Sequence, residues 1–326
     1  MRLVKPKAEP LAIYGLDTLP YSYDKTAKMI EVVGRTCYKS EEKITEDSYK
    51  KFVEMLCERG HHAMLEHSWQ VRRYYNTRIN EFPSPFLYCV KSKSDSIVAG
   101  NLRAFVEAEM EGFLPIKAFK TTYDLCYPPY ILQKAIEFGL PQMIAMTAKF
   151  ICDRGVTHEL VRNRASFGQE STRWCNYGGE VSFIIPPWFS ELEEQTFSWD
   201  QLDKSNLTPP LKRWIQNRLK NEDDYKDMLN MGFKAEQARG ELPNCLKTEI
   251  IVTASIRHWQ LICAQREKGM TGKPHPQMVE VMGQLFEKVR PLVPFFNKDY
   301  MEDIQEEIKQ KGKGLKEYFK YRYFCG

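Results

Sequence analysis

The segment His158–Tyr177 reads HELVRNRASFGQESTRWCNY and sets three arginines, Arg162, Arg164 and Arg173, among hydroxyl, carboxamide and carboxylate side chains. A guanidinium carries five N–H donors in a planar fork and stays charged at any working pH, so it grips a phosphate or a pyrimidine carbonyl edge at two points. The segment therefore predicts an anion-binding site. The competing interpretation is a solvated helix end with scattered charges.

The composition indicates an ordered globular protein that stays in the cytoplasm. A chain of 326 residues with 43% hydrophobic content can bury a sizeable core. The net charge of +4 is too mild for a protein that coats nucleic acid. Nine cysteines without a framework of short spacings favour reduced thiols. No stretch approaches 18 uninterrupted apolar residues, so we expect no membrane partner and a cytoplasmic location, which is the host cytoplasm if a phage encodes the chain.

Hydrophobic periodicity predicts a mixture of helices and strands. Helices are expected at Lys25–Val33, from a Thr45 cap to Gly60 with the apolar stripe Tyr49, Phe52, Val53 and Leu56, from Gly100–Arg103 to about Glu111, as amphipathic pieces outside a core in 189–230, and at 278–290 with Val279, Met282, Leu285 and Val289 on its apolar face. Strands are expected at Ser68–Tyr75, Leu87–Val90 and Phe183–Ile185, a strand or buried helix at Met143–Ile151, and a turn at Cys126–Tyr130.

The run Gly60–His67 contains three histidines and a glutamate, which suggests a metal site. Only His62 and Glu66 share a helical face, because His61 and His67 are six positions apart. His158-Glu159 is followed four residues later by Arg162, where the helix of a zinc protease needs a second histidine. We therefore predict no metal.

These motifs resemble those of the flavin-dependent thymidylate synthases, the ThyX family. Its signature is Arg-His-Arg, seven or eight residues, then Ser-x-Arg-Tyr. This chain has Arg162-Asn163-Arg164, six residues, and Ser171-Thr172-Arg173-Trp174. Either Arg162 and Arg164 hold the two arginine positions across a deletion, or the ungapped register places Val161, Arg162 and Asn163 there. The first alignment is preferred because it keeps both cations.

Three more blocks follow in the family's order. Gly60–His67 resembles its Gly-His-x-Ser/Thr-x-x-Glu-His segment, with Ala63 in place of the hydroxyl residue. Arg239–Pro243 resembles the end of its Ala-Arg-x-x-Leu-Pro block. Within Thr253–Gln277, Ser255 replaces an asparagine, Arg266 matches an arginine that meets the uracil ring, and His275-Pro276-Gln277 is similar to a His-Ala-Gln segment.

The resemblance implies an α+β fold, an antiparallel sheet flanked by helices, in a single catalytic domain over 1–326 with helical insertions at about 86–140 and 189–235. It implies a homotetramer with active sites between subunits. The implied reaction is reductive methylation of dUMP to dTMP. Methylenetetrahydrofolate supplies the carbon, FAD carries the hydride and NADPH reduces the FAD. The expected ligands are thus a pyrimidine deoxynucleotide and folate, and no nucleic acid polymer.

The resemblance also implies roles for individual residues. Ser171 and Arg266 are the catalytic candidates, since cations near a ring carbonyl stabilise the charge that develops there. The nucleotide is assigned to Gln169, Glu170, Ser171, Arg173, Arg239 and Arg266, with Gln169 and Glu170 competing for the family's glutamate position. FAD is assigned to His61, Arg162, Asn163, Arg164, Ser255, Arg257 and His275.

Three alternatives stay open. The altered positions Asn163, Ser255 and Ala63 fit a related pyrimidine-nucleotide hydroxymethylase that makes modified bases. A homologue that binds nucleotide or flavin without turnover is the second. A nucleic-acid-binding module is the third, and the weak net charge without a basic stripe is evidence against it.

Overall fold

The structure is a computed structural model that describes residues 1–14, 23–75, 78–82, 84–91, 95–114 and 128–323. The strands are β1 (Arg2–Val4), β2 (Lys7–Tyr14), β3 (Trp69–Tyr74), β4 (Leu87–Lys91), β5 (Ser96–Asn101), β6 (Ala145–Asp153), β7 (Ser166–Gln169), β8 (Ser182–Ile184), β9 (Gln195–Thr196) and β10 (Lys247–Ser255). The α-helices are α1 (Tyr23–Tyr38), α2 (Ser48–Glu58), α3 (Leu102–Met110), α4 (Pro128–Glu137), α5 (Arg154–Leu160), α6 (Trp199–Asp203), α7 (Pro209–Asn230), α8 (Ala235–Ala238), α9 (Ile256–Arg266), α10 (Pro276–Val289) and α11 (Lys298–Tyr323).

The centre of the protein is a four-stranded antiparallel sheet in the order β2-β6-β10-β7. Strands β6 and β10 are paired along their whole length, from Lys247 opposite Asp153 to Ser255 opposite Ala145. Both strands are rich in apolar residues and are buried on both faces for most of their length, as expected of inner strands covered on two sides. The ambiguous segment Met143–Ile151 is therefore mostly strand.

Helices α9 and α10 cover the central sheet, with Trp259 at the middle of the contact. The Trp259 ring stacks on Phe150 at 6.3 Å, meets Phe286 edge-on at 6.3 Å and donates its indole N–H to the Met146 carbonyl at 2.9 Å. The predicted apolar face of α10 was wrong at Val279, which is 38% exposed. Helix α10 instead buries Met278, Val281 and Phe286 beside the predicted Met282, Leu285 and Val289. Helix α11 follows it along the chain.

A second antiparallel sheet, in the order β3-β5-β4, packs beside α3. The predicted strands at Ser68–Tyr75 and Leu87–Val90 and the predicted helix near Leu102 are confirmed. Asn101 ends β5 and caps α3, because its side-chain oxygen accepts the Ala104 N–H at 2.9 Å. The turn expected at Cys126–Tyr130 lies partly outside the described residues, and its last three residues begin α4 instead.

Residues 189–230 form part of a second core instead of packing outside an existing one. Leu211, Ile215, Leu219 and Tyr225 of α7 are buried in it. The small sheet β8-β1-β9 completes this core, and its β1–β8 pair is parallel whereas its β1–β9 pair is antiparallel. The predicted helix cap at Thr45 is wrong, because α2 starts after Asp47. The predicted apolar stripe of α2 is buried.

The predicted fold class, an antiparallel sheet flanked by helices, is confirmed. In the described residues, no helix has the length and apolar character needed to cross a lipid bilayer. The seven cysteines in the described ranges are free thiols. The assignment of 86–140 and 189–235 as insertions stays a prediction.

Gly168 of β7 lies close against α1, with no room for a side chain. A Cβ atom added there would lie 2.1 Å from Val33 Cγ1 and 3.5 Å from the Cys37 sulfur. We expect Gly168→Ala to lower the free energy of unfolding by about 1–3 kcal/mol, because the helix must move away from the strand. Denaturant unfolding measures this change. Gly179→Ala is the matched control, since no atom lies within 4 Å of its added Cβ. Equal unfolding midpoints for the two variants would contradict the expected clash.

Candidate functional site

The sheet brings five of the six expected nucleotide residues, all except Arg266, to one of its two ends. At this end, called here the Lys247 end, Asp153 leaves β6 opposite Lys247, and Gln169 leaves β7 opposite Ile250. Helix α5 begins at Asp153, whose carboxylate accepts the Val156 N–H at 2.7 Å and caps the helix. The other end, called the Ser255 end, is about 27 Å away, because β10 spans nine residues.

The segment 170–175 follows β7 at the Lys247 end and is here called the substrate loop. Its Ser171 backbone N–H donates to the Cys37 carbonyl at 2.9 Å. The Glu170 side chain is fully buried and receives the Tyr177 hydroxyl at 2.6 Å, Lys39 Nζ at 2.9 Å and Lys247 Nζ at 3.3 Å. Burial and the neighbouring Glu170 raise the pKa of Tyr177, so its hydroxyl remains a donor.

The side chain of Gln169 also has internal partners. Its amide nitrogen donates to the hydroxyl of Thr157 at 3.1 Å and of Thr248 at 3.4 Å. The two candidates for the family's glutamate position are thus both held by the protein, Gln169 by hydroxyls and Glu170 by cations. They differ in charge and burial, since Glu170 is 1% exposed and Gln169 is half-buried.

Two exposed arginines lie beside the substrate loop. Arg173 Nε is 2.9 Å from Glu236 Oε2, and the Arg173 guanidinium lies over the Trp174 ring at 5.0 Å. Arg239, three residues after Glu236, donates from Nη1 to the Thr172 hydroxyl at 3.5 Å. The blocks around Arg173 and Arg239, far apart in sequence, therefore share one surface. Because both guanidiniums are exposed, they have donors to spare for an anion.

Arg266 is the last residue of α9, where its positive charge interacts favourably with the negative end of the helix dipole. Its Nη1 atom is 3.8 Å from Glu159 Oε2, which is too far for a hydrogen bond. In the part of the chain that the structure describes, the buried Arg266 Nε and Glu159 Oε2 have no hydrogen-bond partner. A buried donor of this kind is costly unless a ligand satisfies it.

His275 joins this group from the start of α10. Its ring nitrogen accepts the Gln277 N–H at 3.2 Å, and its own backbone N–H donates to Glu159 Oε1 at 3.1 Å. The exposed Trp188 ring meets the His275 ring edge-on, with the two ring centres 5.9 Å apart. Since Gln277 Oε1 accepts the Asp153 N–H, the start of α10 is fixed to the Lys247 end of the sheet.

A separate polar group occupies the Ser255 end. Ser255 caps α9 and is 3.0 Å from His258 Nδ1, which is 3.2 Å from the Tyr88 hydroxyl. Burial and the nearby Arg164 and Arg257 lower the pKa of His258, so its imidazole is neutral at pH 7. Arg164 is exposed, and within the described residues it makes no ion pair.

The remaining candidates around this end differ in how free they are. Arg257 forms an ion pair with Glu307 of α11. The Asn163 amide donates to the carbonyls of Leu160 at 2.9 Å and Glu159 at 3.2 Å, so it closes the end of α5. Arg162 is exposed, as is Arg164, on the turn that precedes β7.

His61 lines a third region, an open cavity of about 510 Å³ between α1, α2 and α3. Its walls include Cys37, Tyr38, His62 and Arg103, so the cavity lies next to the residues that contact the substrate loop. Neighbouring His67 is fully buried, and burial lowers its pKa to about 3, which keeps it neutral. In the described residues, no group of three potential metal ligands occurs.

The structure thus brings five of the six expected nucleotide residues together, connects Arg266 through Glu159 to His275 instead, and divides the expected flavin residues. Arg164, Ser255 and Arg257 lie near the Ser255 end, His275 lies at the Lys247 end, and His61 lines the cavity. Sequence reasoning missed Lys39, Lys247 and Tyr177, which surround Glu170. No local pattern marks them, because contacts such as Lys247 to Glu170 join positions 77 residues apart.

Comparison with known proteins shows a family to which the chain is similar. Residues 137–295 match the family model of the thymidylate synthase complementing protein, Thy1. Just under half of the chain is therefore similar to the ThyX family. The matched range contains both ends of the central sheet, the substrate loop, Arg239, Arg266 and His275. The resemblance inferred from the motifs is therefore confirmed.

Individual relatives are distant from this chain. The flavin-dependent thymidylate synthase of Pyrococcus furiosus is 32% identical over 110 residues, which cover 32% of this chain and 39% of that protein. That of Thermococcus onnurineus is 27% identical over 141 residues, covering 38% of this chain and 51% of that protein. The chain thus spans between two fifths and about half of the length of these two curated relatives.

Two solved structures align with most of the chain at low similarity. The UMP/dUMP methylase PolB from Streptomyces cacaoi with 5-Br UMP has a TM-score of 0.42 and 12% identity, and covers 94% of this chain and 96% of its own. Thymidylate Synthase X from Helicobacter pylori with FAD and dUMP has a TM-score of 0.37 and 12% identity, and covers 91% of this chain and 99% of its own.

Proposed function

We propose that this protein is a flavin-dependent thymidylate synthase that converts dUMP to dTMP with methylenetetrahydrofolate, FAD and NADPH. The observation that carries the proposal is the buried Arg266 Nε, which has no hydrogen-bond partner among the described residues and lies beside Glu159, a residue that also holds His275. An anionic nucleotide needs cations for its phosphate and a donor for its ring carbonyl, and Arg173, Arg239 and Arg266 can supply both.

The proposed roles follow from exposure. Arg173 and Arg239 are exposed and suit the phosphate, which stays partly in contact with water. Arg266 has a buried Nε and suits the pyrimidine ring, where a desolvated cation stabilises negative charge more strongly than in water. Arg266 would hold electron density on the ring carbonyl while the ring carbon attacks the methylene group. Ser171 adds a neutral donor beside Arg173.

The residues of the Ser255 end fit the anionic part of FAD. Arg164 is an exposed cation without an ion pair among the described residues, and Ser255 and the neutral His258 add hydrogen-bonding groups beside it. When bound, FAD would supply the hydride that completes the methyl group. Arg162 and Arg164 would hold its phosphates, and His61 and His275 are the proposed contacts in the other two regions.

We also propose a homotetramer whose active sites combine residues of different subunits. The separation of the two sheet ends by about 27 Å supports this, because residues so distant in one chain would contact the same reacting rings only with help from a second chain.

The test is an absorbance spectrum of the purified protein, followed by anaerobic addition of NADPH, dUMP and methylenetetrahydrofolate. We expect a flavin band that bleaches and a nucleotide heavier by one methyl group. The control omits methylenetetrahydrofolate and should give no new nucleotide. A hydroxymethylated product would show that the protein catalyses the reaction of the related hydroxymethylase instead. The absence of both a flavin band and nucleotide turnover, with added FAD, would overturn the proposal.

A further inference from the structure

Lys39 has an unusual backbone conformation at the end of α1. Its φ angle is 48°, and among the described residues it is the one non-glycine residue with positive φ. Residues other than glycine, asparagine and aspartate avoid this region because Cβ crowds the following carbonyl oxygen. A strained residue of this kind persists where surrounding contacts fix it, and such residues cluster at functional sites.

The side chain of Lys39 leads from this strained position to the substrate loop. Its Nζ lies 2.9 Å from Glu170 Oε1 and 4.7 Å from the centre of the Tyr177 ring. The Glu170 side chain is fully buried, and a buried carboxylate requires cations or donors to remain charged. Lys39 is therefore one of the groups that keep Glu170, the first residue of the loop, in place.

The two residues before Lys39 also contact the loop. The Cys37 carbonyl accepts the Ser171 N–H at 2.9 Å and the Cys175 thiol at 3.7 Å. The Tyr38 ring lies 6.5 Å from that of Trp174. Three consecutive residues, Cys37–Lys39, thus hold the loop by a backbone carbonyl, a ring and an ammonium group. We call this segment the α1 clamp.

We propose that Lys39 is a positioning residue for nucleotide binding, which orders the substrate loop so that Ser171 and Arg173 face the nucleotide. The inference rests on the proposed function, because it assumes that these two residues meet the phosphate. Lys39 acts through Glu170 and the loop backbone. The role requires both the charge of Lys39, which reaches Glu170, and its backbone turn, which directs the side chain there.

The test removes the charge of Lys39 while still allowing its backbone turn, by comparing Lys39→Asn, Lys39→Gly and Lys39→Arg in the full-length protein. Asparagine and glycine both adopt positive φ and remove the charge, whereas arginine keeps the charge. Lys204→Asn is the matched control, because Lys204 makes a comparable 2.8 Å ion pair with Asp200 on the surface. The second uncharged variant serves if the first does not fold.

We expect Lys39→Asn and Lys39→Gly to raise the KM for dUMP by about tenfold or more, the effect of losing one charged hydrogen bond. We expect kcat to change much less and Lys39→Arg to restore the KM within about threefold, because its cation still reaches Glu170. Amide hydrogen exchange of residues 171–175, measured without ligand, should quicken in the two uncharged variants and not in Lys204→Asn.

Unchanged exchange in both uncharged variants would overturn the inference, and so would faster exchange with an unaltered KM. An equal loss of kcat and no rescue by arginine would also overturn it, since these indicate a structural defect. Wild-type protein that binds no dUMP would overturn the proposed function and, with it, the nucleotide role of Lys39. The exchange data, measured without ligand, would still show whether Lys39 orders the loop.

Discussion

Replacing Arg266 with alanine should lower kcat/KM for dUMP by about 100- to 1,000-fold, the usual effect of removing one group that stabilises charge in a transition state. Arg266 has a buried Nε without a partner in the described part of the chain, and its nearest carboxylate oxygen, on Glu159, is 3.8 Å away. The guanidinium is therefore available to a ligand. Steady-state kinetics with varied dUMP, together with the melting temperature of each variant, measure the effect.

Two variants sharpen the Arg266 experiment. Arg266→Lys should recover only part of the activity, because an ammonium group keeps the charge and lacks the planar fork. Arg213→Ala, which removes an exposed arginine from α7, should leave kcat/KM unchanged. Activity of Arg266→Ala within twofold of the wild type would show that Arg266 does not meet the reacting ring.

Replacing Trp259 with alanine should lower the free energy of unfolding by about 3–5 kcal/mol, because it leaves a large cavity in a close-packed core. The Trp259 side chain is fully buried between Phe150 of β6 and Phe286 of α10, and its indole N–H is bonded to Met146. The change also leaves the Met146 carbonyl without this donor. Urea unfolding followed by circular dichroism measures the free energy.

The control for Trp259 is Trp199→Ala. Trp199 is 43% exposed, and its indole N–H donates to Asp223 at 2.8 Å on the surface of the second core. Its replacement removes less buried area and should cost under about 2 kcal/mol. A Trp259→Ala variant as stable as Trp199→Ala would mean that α9 does not form the main cover of the central sheet.

The order of motifs predicted the fold class and the family from local sequence. The alternating or apolar runs identified β3 and β4, because burial imposes a pattern that short windows reveal. They left β6 open between a strand and a buried helix, because a continuous apolar run suits both. The same approach failed at Val279, since a helix with apolar residues on several sides does not indicate which side meets the sheet. It also missed the second core in 189–230, which forms only when α7 packs with residues of β1 and β8.

The sequence by itself determined which side chains are available: the arginines, Ser171, His275 and the local caps such as Asn101, whose partners lie within a few residues. Only the tertiary structure decided which of them meet. It paired Arg173 with Glu236, left Arg266 Nε buried without a partner among the described residues, and surrounded Glu170 with Lys39, Lys247 and Tyr177. The physical reason is that sheet pairing and core packing join distant positions, and an isolated charge carries no local signal of the partner that will neutralise it.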